Sequence, residues 1–88
     1  MSTTTDMSIV SSVDDGRVML DDIDSRLMQL LSERRAVSKQ VQALRVEAGG
    51  SRVEHSRENA IIRRWAETLG DGGADLALAV LAHCRGRV

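Results

Sequence analysis

The chain has 88 residues, room for one domain with a modest core, and it contains no Pro, Phe or Tyr and a single Trp. This composition disfavours strands and hairpins, so it favours an all-α class. The formal net charge of −1 and the lack of an aromatic and basic surface argue against a nucleic-acid-binding protein. The sequence contains no apolar segment of about 20 residues and no signal-peptide pattern, so it predicts a cytoplasmic protein without membrane spans. The single cysteine, Cys84, cannot form a disulfide within the chain, which fits a reducing compartment.

The first part of the chain predicts a tail followed by one long helix. Residues 1–13 are rich in Ser, Thr and Asp, and we expect a disordered N-terminal tail there, followed by a helical domain over residues 14–88. The stretch from about Asp14 to Ala48 holds only one Gly and no Pro, and Gly49-Gly50 ends it with a typical C-terminal capping signal.

Two shorter helices follow. Ser51, with Glu54 three residues later, predicts a capping box at the start of a second helix that runs to about Leu69. The sequence "GDGG" at residues 70–73 separates it from a third, mostly apolar helix from Ala74 to about Arg85. The predicted fold is therefore all-α, with one long helix and two shorter ones.

The apolar stripe of the first helix is interrupted by charge. Ten residues lie within about 60° of Arg34 on a helical wheel, and the polar residues among them fall in the C-terminal half of the first helix. These residues are Leu20, Ile23, Leu27, Leu30, Leu31, Val37, Ser38, Val41, Arg45 and Ala48. A buried, unpaired guanidinium is strongly unfavourable, so an anion should meet Arg34 and Arg45. A salt bridge to Glu54 or Glu58 would satisfy this requirement, and so would a bound anionic ligand.

The second helix repeats the pattern, because Glu54, Arg57 and Glu58 share a face with Ile61 and Trp65. The inward-facing arginines outnumber these two acids. Along an ideal helix Arg34 and Arg45 are about 16 Å apart, and two long side chains that reach toward each other can grip a small dicarboxylate.

The length of the first helix predicts a homodimer. A helix of about 33 residues is roughly 50 Å long, whereas a compact chain of this size has a radius of gyration near 12 Å. A two-fold dimer with antiparallel long helices would cover the projecting apolar stripe. Arg17 lies about 25 Å from Arg34 along one helix, so it would approach the C-terminal half of the partner's helix instead.

The ordered set formed by Arg17, Arg34, Arg45, the "ExxRE" of residues 54–58 and the closing "RGR" of residues 85–87 resembles the all-α, AroQ-type chorismate mutases. The similarity is greatest to their small actinobacterial intracellular subclass and covers residues 16–88. It implies an intertwined helical homodimer with two active sites, each built mainly from one chain with an arginine from the other. It also implies conversion of chorismate to prephenate for Phe and Tyr biosynthesis.

The resemblance implies a role for each matching residue. Arg34, and Arg17 of the partner chain, would each hold a carboxylate of chorismate. Arg45 would face the ether oxygen of the breaking bond, where many relatives have Lys.

On the second helix, Glu58 would accept a hydrogen bond from the ring hydroxyl, and Arg57 would orient Glu58 or approach a carboxylate. Ser51, Val53 and Glu54 would lie on the loop that closes the pocket.

The rearrangement needs no metal and no cofactor, only orientation and fixed charge. Larger relatives complete the site from a longer third helix, and the small subclass is completed by docking onto DAHP synthase, so the resemblance implies that partner.

Two alternatives stay open. Isochorismate-pyruvate lyase is a close relative of the fold with a similar cationic pocket. A non-catalytic helical dimerisation module is the other.

The remaining charged and apolar residues have structural interpretations. We expect Trp65 to be a core residue together with Ile61 and Leu69, which share its helical spacing. Six basic residues are interpreted as surface charges or as a solvated tail, namely Arg26, Arg35, Lys39, Arg63, Arg85 and Arg87.

Overall fold

The computed structural model describes residues 10–51 and 54–85 and contains three α-helices and no strand in those ranges. They are α1 (Val13–Glu47), α2 (His55–Leu69) and α3 (Gly73–Cys84). The all-α class with one long and two shorter helices is thereby confirmed. Most of the predicted disordered tail falls on residues 1–9, which lie outside the described residues. None of the described helices is long and apolar enough to cross a membrane.

Local signals at both ends explain the length of α1. The side-chain oxygen of Ser12 accepts a 3.0 Å hydrogen bond from the backbone N–H of Asp15, and Asp14 and Asp15 lie in the first turn, where carboxylates are favoured. At the other end the N–H of Gly50 donates to the carbonyl of Arg45 at 2.8 Å, and the intervening Gly49 has a φ of +88°. Glycine adopts this left-handed conformation without strain, so the chain leaves the helix there.

The start of α2 differs from the prediction. The helix begins at His55, three residues later than expected, and its N-cap residue is Glu54 in an extended conformation. The predicted capping box requires Ser51 to be the N-cap of α2, and this prediction is wrong because the N-cap is Glu54. Because Glu54 is itself extended, the helix starts after Glu54 and Ser51 lies ahead of its N-cap.

Packing of α2 against α3 forms the core of the described chain, because these are the two described helices whose backbones approach closely. The buried apolar residues lie on one face of α3 and are Ala77, Val80, Leu81 and Cys84. Ile61 and Trp65 of α2 are half-buried, whereas Leu69 is 54% exposed, so its assignment to the core is wrong. Leu69 is the last residue of α2, where the chain turns at Gly70 and leaves its side chain uncovered.

The chain divides into two units, Met1–Leu30 and Leu31–Val88, and α1 contributes residues to both. In the first unit, the large apolar side chains that α1 leaves exposed are Val13, Val18, Leu20, Leu27, Met28 and Leu30. In the second unit, those that α1 leaves exposed are Val37, Val41, Leu44 and Val46. The apolar stripe predicted from the helical wheel therefore faces solvent in the isolated chain.

Candidate functional site

A polar face of α1, in the unit Leu31–Val88, is the best candidate for a functional site. Its covered residues repeat at helical spacing, and all but one are polar. They are Leu31, Arg34, Arg35, Ser38, Gln42 and Arg45. Gln42 is the most buried of them, at 9% exposure, and its Nε2 donates a 3.3 Å hydrogen bond to Oγ of Ser38. We call this row of six residues the polar face of α1.

The covered face is rotated from the predicted one. The apolar stripe predicted from the helical wheel is centred on Arg34. It includes Val37 and Val41, which are 57% and 42% exposed. Arg35 and Gln42, on the other side of Arg34, are covered instead. The apolar stripe was predicted to be covered by a second chain, and within the single chain it is the neighbouring polar residues that are covered.

Arg34 and Arg35 are both half-buried. Within the described residues Arg34 makes no hydrogen bond or ion pair, so the predicted alternative of a salt bridge from Arg34 to Glu54 or Glu58 is not formed there. The Nε atom of Arg35 is buried and has no hydrogen-bond partner in the same part of the chain. The interpretation of Arg35 as a surface charge is therefore wrong.

Arg45 lies in the last turn of α1 and is half-buried. The chain turns back beside it, because a Cβ atom placed on Gly50 would lie 3.0 Å from Cγ of Arg45. The missing side chain at Gly50 thus lets the backbone pack against the aliphatic stem of Arg45. Such a contact restricts the directions in which the guanidinium can point.

Glu58 lies in the first turn of α2 and has a partner that the sequence did not indicate. Nη2 of Arg85, the residue that directly follows α3, donates a 2.5 Å hydrogen bond to Oε1 of Glu58. The Glu58 side chain is 19% exposed and that of Arg85 is 31% exposed. The interpretation of Arg85 as part of a solvated tail is therefore wrong, and Arg87 lies outside the described residues.

The other predicted residues of the pocket are more exposed. Arg57, Glu54 and Ser51 are exposed, and Val53 lies outside the described residues. Arg57 lies next to Glu58 in the chain, but the hydrogen bond to the Glu58 carboxylate comes from Arg85. Residues 10–51 and 54–85 contain no group of His, Cys, Asp and Glu that could hold a metal ion.

Arg17 belongs to the other unit, Met1–Leu30, and is exposed near the start of α1. Its Nη1 lies 4.0 Å from Oδ1 of Asp14, a weak pair in which both side chains are largely solvated. The same unit has a surface groove lined by Val18, Met19, Asp22, Ile23 and Arg26, which includes none of the predicted site residues. Arg26 pairs with Asp22 at 3.1 Å and is exposed, as are Lys39 and Arg63, so these three are surface charges as predicted.

Sequence reasoning missed Arg35, Gln42 and Arg85. Gln42 and Arg35 follow Ser38 and Leu31 at spacings of four residues, so their shared face was visible in the sequence. From the sequence, Arg35 is nevertheless interpreted as a surface charge, and no prediction is made for Gln42. Arg85 is 27 residues from Glu58, and no local pattern links residues so far apart.

The chain is similar in sequence to proteins of a known family. The family model for chorismate mutase type II matches residues 17–81. The intracellular chorismate mutase of Mycolicibacterium smegmatis is 38% identical over 79 residues, which cover 90% of this chain and 76% of that protein. The intracellular chorismate mutase of Mycobacterium tuberculosis is 39% identical over 79 residues, with coverage of 90% and 74%.

A solved structure shares the fold. It is a non-covalent complex of DAHP synthase and chorismate mutase from Corynebacterium glutamicum with a bound transition-state analogue. The matching chain superposes with a TM-score of 0.81 at 29% identity and covers 86% of this chain and 92% of its own length. The family match, which spans most of the chain and includes Arg17, Arg34, Arg45 and Glu58, establishes that this chain belongs to the chorismate mutase type II family.

Proposed function

We propose that this chain rearranges chorismate to prephenate, acting as an isomerase in the biosynthesis of Phe and Tyr. The observation that carries the proposal is the polar face of α1, which holds Arg34 and Arg45 half-buried in a chain of the chorismate mutase type II family. Half-buried guanidinium groups bind carboxylates more strongly than fully solvated ones, because less water competes for the anion. A dianionic substrate fits such a face.

The rearrangement takes place within one molecule. The bond between the ether oxygen and the ring breaks while a carbon–carbon bond forms, so the enzyme transfers no proton and supplies no nucleophile. Catalysis then depends on holding the flexible dianion in its reactive conformation and on stabilising the negative charge that grows on the ether oxygen. Fixed cations perform both tasks.

Two residues of the polar face and two residues of α2 receive roles on this basis. Arg34 would bind a carboxylate, and Arg45 would face the ether oxygen, with its stem held by the adjoining Gly50. Glu58 would accept the hydrogen bond of the ring hydroxyl. Arg57 would help bind a carboxylate or orient Glu58 from its exposed position beside it.

Ser51, Val53 and Glu54 would form the loop that closes the pocket between α1 and α2. Ser51 and Glu54 are exposed, which leaves their side chains accessible to a bound molecule.

We also propose that the functional species is a homodimer to which each chain donates Arg17. Apolar side chains are exposed along α1 in each of the two units, and water-exposed apolar rows of this kind mark association surfaces. A second copy with an antiparallel α1 would cover these rows. It would also bring its Arg17, which is exposed and only weakly paired with Asp14, to the polar face of the first chain.

DAHP synthase is the proposed activating partner. The support is the solved complex of a chorismate mutase with DAHP synthase, which shares this fold. The mycobacterial relatives are named as intracellular enzymes, and we extend that location to this chain.

The test is incubation of the purified chain with chorismate and, separately, with isochorismate, with and without DAHP synthase. Prephenate and free pyruvate are quantified by chromatography. We expect prephenate from chorismate and no pyruvate from either substrate. Pyruvate release from isochorismate would identify the lyase of the same fold, and unchanged substrates under all conditions would identify a non-catalytic helical module.

A further inference from the structure

The pair between Arg85 and Glu58 joins the residue after α3 to the first turn of α2. Nη2 of Arg85 donates a charge-assisted hydrogen bond to Oε1 of Glu58. Both side chains are mostly covered, Glu58 more than Arg85. The contact therefore holds the carboxylate in a defined position and keeps a positive charge beside it.

The geometry leaves one carboxylate oxygen for a further donor. Within the described residues, the hydrogen bond recorded for the Glu58 side chain goes to Oε1. An ionised carboxylate has two oxygens and about four acceptor sites. Oε2 thus remains able to accept a hydroxyl group of a bound molecule while Arg85 holds Oε1.

The helix pair has other sources of stability. The contact between α2 and α3 already buries Ala77, Val80, Leu81 and Cys84. The Arg85–Glu58 pair adds a polar contact to two helices that this apolar packing already joins. Its main effect is on the direction in which the carboxylate points.

We propose that Arg85 is a positioning residue that orients Glu58 so that Oε2 accepts the substrate hydroxyl. This inference rests on the proposed function, in which Glu58 binds that hydroxyl. Arg85 itself does not touch the reacting atoms. Its effect passes through Glu58 and is strongest when the substrate is close to its reactive geometry.

The experiment compares Arg85→Met, Arg85→Lys, Glu58→Gln and the double variant Arg85→Met/Glu58→Gln. Arg63→Met is the matched control, because Arg63 is an exposed arginine of α2. The kcat and KM for chorismate are measured for the full chain, alone or with DAHP synthase, whichever gives the higher wild-type activity. Circular dichroism verifies that each variant is folded, and Arg85→Gln replaces Arg85→Met if the latter is unfolded.

We expect Arg85→Met to lower kcat about tenfold with a much smaller change in KM, and Arg85→Lys to restore part of the loss because it keeps a positive charge. In the Glu58→Gln background, Arg85→Met should cause no further loss of kcat, because both substitutions disrupt the same interaction. The Arg63→Met control should match the wild type.

Three results would overturn the inference while leaving the proposed function intact. They are wild-type kcat in Arg85→Met, a higher kcat in that variant, and losses that multiply in the double variant. A wild-type chain that leaves chorismate unchanged, alone and with the synthase, would instead overturn the proposed function and this inference with it.

Discussion

Gly73, the first residue of α3, packs directly against the backbone of Trp65 in α2. A Cβ atom on Gly73 would lie 2.6 Å from the carbonyl oxygen of Trp65 and 3.0 Å from Cα of Ala66. Backbone atoms at these distances cannot move aside as the end of a flexible side chain does. The absence of a side chain at residue 73 is therefore what lets the two helices approach each other.

Gly73→Ala is expected to lower the free energy of unfolding by about 1–3 kcal/mol, the usual effect of overpacking. Gly16→Ala is the matched control. Its added methyl group would meet only the end of the Val10 side chain, at 3.2 Å, inside a helix that favours Ala over Gly. Urea unfolding at a fixed protein concentration measures both variants. Equal stability of Gly73→Ala and the wild type would contradict the close approach described above.

Arg45→Gln is expected to lower kcat for chorismate about a hundredfold or more, because one donor aimed at a developing negative charge contributes roughly 3–4 kcal/mol. Arg45→Lys should retain more activity, since it keeps the positive charge. Steady-state kinetics measure both variants, with Arg63→Gln as the control for an exposed arginine. A folded Arg45→Gln variant with wild-type kcat would remove Arg45 from the proposed mechanism.

Arg34→Ala is expected to raise KM and to lower kcat together. The variant loses a charge-assisted pair with a substrate carboxylate, which is worth about 1.5–3 kcal/mol, so kcat/KM should fall by roughly tenfold to a hundredfold. Lys39→Ala, an exposed change on the same helix, serves as the comparison. Normal kinetics in folded Arg34→Ala would show that Arg34 does not contact the substrate.

DAHP synthase is expected to raise kcat/KM when it is titrated into the chain, and the increase should saturate as the complex forms. Removal of residues 86–88 should reduce this increase, because the "RGR" sequence belongs to the resemblance that implies the partner. This truncation keeps Arg85 and its pair with Glu58. Kinetic constants that stay flat across the titration would argue against the synthase as a partner.

The shared site predicts complementation between two inactive variants. Arg17→Ala and Arg34→Ala homodimers should each be nearly inactive if both residues bind one substrate. Unfolded together and refolded as a mixture, about half of the dimers combine the two chains. Each mixed dimer has one site with both arginines intact and one site that lacks both. About a quarter of wild-type activity should therefore return.

The control for that experiment is each variant refolded alone, and native mass spectrometry confirms that mixed dimers have formed. If both variants are inactive and confirmed mixed dimers recover nothing, Arg17 and Arg34 do not meet across a dimer interface.

The helices and their boundaries were largely determined by the sequence alone. Local signals set them, since Gly49-Gly50 ends α1 and the "GDGG" of residues 70–73 separates α2 from α3. These signals act over a few residues through backbone conformation and capping, which is why the pattern was sufficient. The order of Arg17, Arg34, Arg45 and Glu58 likewise pointed to the family before any contact was known.

Only the tertiary structure decided which sides of these helices are covered and which charges meet. It covers Gln42 and leaves Val41 exposed, and it leaves Leu69 exposed at the end of α2. It joins Glu58 to Arg85, which the sequence had placed in a solvated tail. The reason is that burial and ion pairing depend on residues far apart in the chain. Helical periodicity reports which residues share a face, but it does not report what that face meets.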